Sequence, residues 1–410
     1  DLLMQRSILS LLDNLQETYD LTIVFITHDL PLIAGLADRL AVMYAFQFVE
    51  VGSADEIIEN PTHPYTRALL RAVPNLNAPL TEMRPIEGSS PDPVNVPSGC
   101  SFNPRCPLAT QECTEIDPEF ETISDGHQVA CLHWEEADDN IPLSFESTDQ
   151  PTERAPASQG DELVEIEDLS VEFEQRDGLI DGLLGDQTML TAVDDVNLDI
   201  VEEDVVALVG ESGCGKTTLG KAAIGLQRPT DGSVKYRDQD IWEAKEQADS
   251  ILPFGGSDRE DVTVPFEDIR RALQIIHQDP GSAINPNKTV ISALNKPLKR
   301  WHPDMDHNER ELRIYALLEE VGLTPPQAYA KRYPHQLSGG EKQRIALIRA
   351  LLMNPDLILA DEAISALDVS LRVDMMDLFL DLQEKFSTSY LFISHDLSNA
   401  RYLAEKAGGR

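Results

Sequence analysis

Basic residues are scarce: 33 Lys and Arg stand against 72 Asp and Glu, a net charge of −39 at pH 7. A surface with that balance repels polyanions, so nucleic acid is not expected as a partner and anionic lipid is a poor one, although a local basic groove remains compatible with it. Cysteine is sparse as well, five in 410 residues, too few for a disulfide scaffold at this length. Long apolar runs are missing. The stretch closest to membrane length, LTIVFITHDLPLIAGLADRLAVMY, carries His28 and Asp29 inside it, and no run reaches the roughly 18 residues of a spanning helix. The opening DLLMQRSILSLLD has no basic leader followed by an apolar core, and no initiator Met. Secretion is therefore not indicated, and the chain reads as a fragment or processed product. What is present is 41% hydrophobic residues, enough for two or three domains with cores of their own. Acidity spread along the whole chain fits a protein working in high salt, where a hydrated charged surface stays soluble; an ordinary acidic protein is the alternative.

The chain repeats itself once. A shift of 367 positions lays Asp1 on Asp368 and His28 on His395 without a gap, and ten of 30 residues are identical, among them Gln16/Gln383, Phe25/Phe392, Ile26/Ile393 and His28/His395. Average residue usage would give about two. In both copies an amphipathic helical pattern, apolar at Ile8, Leu11, Leu12 and Leu15 in the first, runs into a short β-rich run, TIVFITH or SYLFISH, so both read as helix followed by strand. Between the copies, residues 61–134 are rich in Pro, Cys and turn formers and read as a compact irregular extension. Residues 135–161 are acidic and Pro/Ser/Thr-bearing, the composition of a linker. From Glu162 onward strand patterns give way to alternating helices and strands, which predicts a β-rich edge joined to an α/β core. The segment 239–268, DQDIWEAKEQADSILPFGGSDREDVTVPFE, reads as an acidic surface insertion. The expected divisions are 1–60, 61–134, 135–161 and 162–410.

The apolar run VVALV at 205–209 leads directly into GESGCGKTT at 210–218 and then into the helical pattern LGKAAIGL. Strand, GxxxxGKT and helix in that order make a phosphate-binding loop. Gly210, Gly213 and Gly215 let backbone N–H groups wrap an anion, with Glu211, Ser212, Cys214 and Thr218 completing the loop and the helix start. The helix aims its positive end at the same anion, Lys216 neutralises the β- and γ-phosphates, and Thr217 is placed to ligate Mg2+. A second apolar strand, LILADE at 357–362, ends in two carboxylates. Asp361 suits Mg2+ and Glu362 suits the orientation of an attacking water.

LSGGEKQR at 337–344, just before the helical IALIRALL, resembles the signature motif of the ATP-binding cassette (ABC) family. The resemblance implies an α/β P-loop NTPase cassette over 162–410, with a parallel-sheet core, an antiparallel β subdomain and a helical signature subdomain. It makes residues 1–60 the C-terminal end of another cassette. It also implies that Ser338, Gly339 and Gly340 bind the γ-phosphate of ATP held by a second cassette, head to tail. Gln278 in IIHQDP matches the Q-loop glutamine that touches Mg2+, Asp368 in SALD matches the D-loop, and His395 in FISHDL matches the switch histidine. Phe173 in LSVEF is the aromatic expected to stack on adenine, a core-facing strand position being the other reading. Ala363 and Ile364 replace the usual Pro-Thr, and Glu203 replaces a turn Gly before the P-loop strand.

HPYTRALLRAVP at 63–74, the stretch SGCSFNPRCP with its later cysteines, and QDPGSAINP at 278–286 resemble the oligopeptide and dipeptide importer branch. MYAFQFVE at 43–50 departs from that branch's small-plus-basic pattern. The resemblance implies an ATPase on the cytoplasmic face of a membrane that works with transmembrane permease subunits and, indirectly, an external substrate-binding protein. A soluble ABC ATPase and a catalytically incomplete remnant are the competing classes. Cys100, Cys106, Cys113 and Cys131, spaced Cx5C, Cx6C and Cx17C, read as a metal site: a [4Fe–4S] cluster, or zinc with His127 or His133 substituting, or else four unligated thiols.

Overall fold

The computed structural model describes residues 2–19, 21–27, 37–72, 86, 91, 96–124, 126–141, 160–175, 188–249, 263–281, 284–367 and 369–408. The chain divides into two compact units, residues 1–151 with 368–374, and residues 152–367 with 375–410.

The first unit opens with helix α1, Leu2–Tyr19. The expected strand after it does not form. Residues 21–27 run without strand pairing, and Val24 and Ile26 are almost fully exposed. His28 lies outside the described residues. Strands β1 (Arg39–Tyr44) and β2 (Gln47–Ser53) form an antiparallel hairpin. Helix α2 (Ala54–Glu59) follows, capped by Ser53 accepting from the Glu56 N–H, and then helix α3 (Pro64–Ala72). Strands β3 (Glu121–Ser124) and β4 (His127–Val129) complete a sheet of order β1-β2-β4-β3. The sequence boundary at 60 therefore cuts through one sheet: Glu50 and Val51 of the tail pair with Val129 and Gln128 of the extension. Leu40, Val42, Tyr44, Ile57 and Phe102 form the core beneath it. The ordered chain also runs past the expected linker start at 135. A short helix, Ala137–Asn140, is clamped by the buried Arg67, whose Nε donates to the Ile141 carbonyl (2.6 Å), whose Nη1 donates to the Pro61 carbonyl (2.7 Å) and whose Nη2 meets Asp138. Residues 142–159 of that segment lie outside the described residues.

The second unit begins with the long strands β5 (Glu162–Gln175) and β6 (Thr188–Val201), then β7 (Val205–Val209), helix α4 (Lys216–Ala223), β8 (Asp231–Tyr236) and β9 (Gln239–Asp240). The antiparallel sheet has order β6-β5-β8-β9. Residues 239–249 are not a surface insertion. β9 joins that sheet and the following helix, Ile241–Asp249, buries Ile241, Trp242 and Ala244, because its apolar positions share one face. Residues 250–262 lie outside the described residues.

Strand β10 (Leu273–Ile276) starts the parallel sheet. A helical layer follows: α5 (Val290–Trp301), α6 (His307–Glu320), α7 (Pro326–Lys331) and α8 (Gly339–Leu351). Strand β11 (Leu357–Asp361), helix α9 (Val369–Phe386), strand β12 (Ser389–Ser394) and helix α10 (Leu397–Gly408) finish the chain. The parallel sheet has order β10-β11-β12-β7. Its strands are continuous apolar runs, as strands covered on both faces require, and every residue of β11 and β12 is buried. α4 packs against the sheet so closely that a Cβ on Gly220 would stand 2.8 Å from Ile393 Cδ1 and 2.8 Å from Leu359 Cδ1. Among the described residues no helix is long and apolar enough to cross a membrane.

Candidate active site: a phosphate loop and four strand ends

The loop between β7 and α4 needs glycine where its backbone turns left-handed. Gly213 has φ 85° and Gly215 φ 98°. At Gly215 a Cβ would also fall 2.1 Å from the Ala192 carbonyl oxygen. Glu211, Ser212, Gly213 and Cys214 are exposed, whereas Lys216 is buried at 7% exposure. The Lys216 ammonium folds back into the loop, donating to the carbonyls of Gly210 (2.7 Å) and Glu211 (2.6 Å) with Cys214 Sγ at 3.7 Å. These are neutral acceptors, so an anion arriving in the loop would be a stronger partner for the buried cation. The first helical bond runs from the Leu219 N–H to the Gly215 carbonyl (2.9 Å), and the N–H groups ahead of it face out of the helix start, Thr218 among their owners.

Side chains from four elements meet beside the loop. The Thr217 hydroxyl at the start of α4 donates to Asp361 Oδ1 at the end of β11 (2.9 Å). The adjacent Glu362 is held in a left-handed conformation, φ 49°, with its N–H donating to the Ile393 carbonyl of β12 (3.1 Å). That turn throws its carboxylate toward the end of β10, where Gln278 Nε2 donates to Oε2 (2.8 Å), and toward the end of β12, where His395 Nδ1 stands 3.8 Å from Oε1. Burial, reinforced by Arg349 and Lys221, pushes the neighbouring His277 imidazole toward its neutral form against the pull of Asp361. Sequence-distant residues thus converge at the carboxyl ends of parallel strands, where open α/β sheets bind ligands.

Other expected residues sit elsewhere. Phe173 is 40% exposed, which removes the core-facing reading. It pairs in register with Leu190, two residues from the Ala192 whose carbonyl abuts Gly215. Ser338 caps α8: its hydroxyl accepts from the Glu341 N–H (3.2 Å) while the Glu341 carboxylate accepts from the Ser338 N–H (2.7 Å). Gly339 has open space where a Cβ would stand, and Gly340 is buried. Asp368 lies outside the described residues.

In the first unit, Cys100, Cys106, Cys113 and Cys131 line one small cavity together with His63 and His133. All four are free thiols. Backbone N–H groups turn toward the sulfurs, from Phe102 and Asn103 to Cys100, Leu108 to Cys106 and His133 to Cys131, the last at 3.4 Å. Burial nevertheless pushes Cys106 up to about 11 and Cys131 up to about 12, so the thiols stay protonated until a cation offsets that penalty. Among the described residues no group of three or more His, Cys, Asp or Glu stands in ready metal-ligating geometry. The expectation for His127 is corrected. Its Nε2 is bound to the fully buried Glu50 (2.9 Å), which also accepts from the Thr62 N–H (2.6 Å), the Thr62 hydroxyl (2.7 Å) and the His63 N–H (3.1 Å). His133 Nε2 meets the Thr110 hydroxyl (3.0 Å). The histidine that sequence spacing missed is His63, 37 residues before Cys100, the next of the cavity-lining histidines and cysteines. Burial pushes it down to about 4, against smaller opposing pulls from Glu50 and the nearby Ala130 carbonyl.

Residues 193–365, which hold the phosphate loop and the ends of β7, β10 and β11 but not that of β12 with His395, match the family described as ABC transporter. By that match the segment that carries the phosphate loop is an ABC transporter domain. Residues 49–113 match a second description, oligopeptide/dipeptide transporter, C-terminal region. An oligopeptide transport ATP-binding protein of Mycobacterium tuberculosis is 34% identical over 410 residues, 99% of this chain and 63% of that protein. A glutathione import ATP-binding protein of Escherichia coli is 34% identical over 401 residues, 97% of this chain and 52% of that protein. The chain thus spans between half and two thirds of the length of these relatives. A solved bacterial ABC transporter cassette, MJ0796, is 26% identical with a TM-score of 0.47, covering 58% of this chain and 91% of that one.

Proposed function

We propose that this chain carries the ATP-hydrolysing half of a fused two-cassette ATPase that energises a peptide importer. The observation that carries the reading is the meeting of Thr217, Asp361, Glu362, Gln278 and His395 beside a buried, carbonyl-held Lys216. Lys216 exchanges its two carbonyls for β- and γ-phosphate oxygens. Thr217, Asp361 and Gln278 would hold Mg2+, which when bound would supply positive charge against the phosphates. Glu362 accepts the proton of the attacking water, His395 steadies the γ-phosphate, and Phe173 stacks on adenine. Ser338, Gly339 and Gly340 belong to the opposite face of a head-to-tail pair, where the start of the 13-residue α8 offers N–H groups to the other cassette's γ-phosphate. Residues 1–60 are then the end of that other cassette. Relatives named for oligopeptide and glutathione import support a cytoplasmic-face position under permease subunits fed by an external binding protein. The differential affinity of closed and open pairs for ATP supplies the work.

Glu362→Gln tests the assignment. In the full-length protein it should keep ATP binding and lower turnover by about 100-fold or more, whereas Lys216→Ala should lose binding itself. Turnover within about threefold of wild type in Glu362→Gln would reject the site.

The cysteine site is part of the same proposal. Four thiols on one cavity, each of three sulfurs already met by the N–H two residues on, suit a soft metal, and a [4Fe–4S] cluster would staple an extension with a small core. Iron and sulfide analysis of protein purified without oxygen decides between the cluster, zinc and bare thiols. The charge of −39 further supports function in high salt.

A further inference from the structure

The cysteine cavity is lined by a buried histidine with one ring nitrogen that makes no regular hydrogen bond within the protein. His63 is 1% exposed and lines the cavity. Its Nδ1 accepts the Tyr65 N–H (3.0 Å), which places the ring proton on Nε2. Nε2 makes no hydrogen bond of regular geometry, the Ala130 carbonyl near the ring being its one weak acceptor among the described residues. A buried donor without a well-placed acceptor costs free energy, and such a group needs a reason. His63 N–H is itself fixed on Glu50 Oε2 (3.1 Å), so the residue is held by its backbone on one side and by its ring on the other. The direction of the ring is therefore set by the fold rather than by the cavity's occupant.

We infer that His63 is a positioning residue of the cysteine site, donating an Nε2–H hydrogen bond to a sulfur of the metal group bound by Cys100, Cys106, Cys113 and Cys131. The inference rests on the cluster reading above and goes beyond it by assigning an uncharged donor to a site otherwise built of thiols and backbone. Hydrogen bonds to ligand sulfurs withdraw electron density and favour the more negative, reduced state, so they raise a cluster's reduction potential.

The test uses the full chain purified without oxygen, with iron and sulfide measured and the midpoint potential followed by electron paramagnetic resonance. His63→Phe fills the same space without donating; His63→Gln restores a terminal N–H. The expected result is retained iron and sulfide, a lower midpoint potential in His63→Phe and a return toward wild type in His63→Gln. Loss of iron from His63→Phe alone, with retention in His63→Gln, would also support the donor role. An unchanged potential in His63→Phe, or equal loss of iron from both variants, overturns it and leaves the cluster reading standing. Wild-type protein without iron or sulfide overturns both.

Discussion

The two copies of the helix–strand–histidine repeat share ten of 30 residues and a helix in the same register, Leu2–Tyr19 against Val369–Phe386, but part company at the strand. In the second copy, β12 lies between β11 and β7, paired in parallel register with both, and Phe392 packs edge-on against Phe379 at 5.0 Å and stacks with Tyr390 at 5.4 Å. In the first copy, Phe25 and Ile26 stand in the same frame, yet residues 21–27 have no strand partner among the described residues, and Leu21, Val24, Phe25 and Ile26 are exposed. Strand propensity is equal in the two; neighbours are not. A parallel strand has no hairpin partner of its own and exists only where a sequence-distant segment of chain brings it hydrogen bonds. The same logic extends to function, because His395 reaches Glu362 only by being the residue after a strand held at that height in the sheet.

The sharpest way to break this comparison is to make one substitution twice. Ile393 is 2% exposed and Ile26 is 95% exposed. Ile393→Ala should cost about 2–5 kcal/mol, the range for emptying a buried aliphatic site, while Ile26→Ala should stay within about 0.5 kcal/mol. Denaturant titration of the full chain with each variant reads both numbers. Similar losses in the two would mean that the first copy is as well packed as the second. Next in size is Gly220→Ala. Its new methyl would press on Ile393 and Leu359, and both belong to strands with no room to retreat, so overpacking of about 1–3 kcal/mol is expected. The same assay checks it, and a neutral outcome would show that α4 can lift from β11 and β12.

What could be read from the sequence follows the same divide between local and borrowed structure. The strand–loop–helix order at 205–223 and the carboxylates ending β11 were legible because each is a contiguous motif, whereas the signature at 337–344 was read only by resemblance. The approach of Gln278 and His395 to Glu362 was legible only through family resemblance. The sheet uniting residues 39–53 with 121–129 was not legible, since β2 and β4 are joined across more than 70 residues of turn-rich chain. The segment 134–141 is held by the buried Arg67 guanidinium together with the buried Ala137 and Ile141, and its composition gives no hint of that. His63 escaped for a similar reason: sequence distance from the cysteines hid its place beside them.

The smallest effect probes the turn that feeds β7. Glu203 stands there with φ 58°, a left-handed conformation that costs a residue with a Cβ about 1 kcal/mol or more and costs glycine little. Its carbonyl accepts from Gln383 Nε2 in α9, and Gln383 is the repeat partner of Gln16. Because the acceptor is a backbone oxygen, Glu203→Gly keeps that bond and removes only the strain. Against the gain stands the larger entropy glycine loses on folding, so the net stabilisation should be about 0.5–1 kcal/mol. Gln383→Ala should reverse the sign, leaving a turn carbonyl without its donor, whereas Gln16→Ala should move nothing measurable. Thermal melts of the three variants under one buffer read the set. A destabilised Glu203→Gly would mean that the glutamate side chain holds the turn in some way its backbone does not explain, and equal effects at Gln16 and Gln383 would erase the difference between the copies.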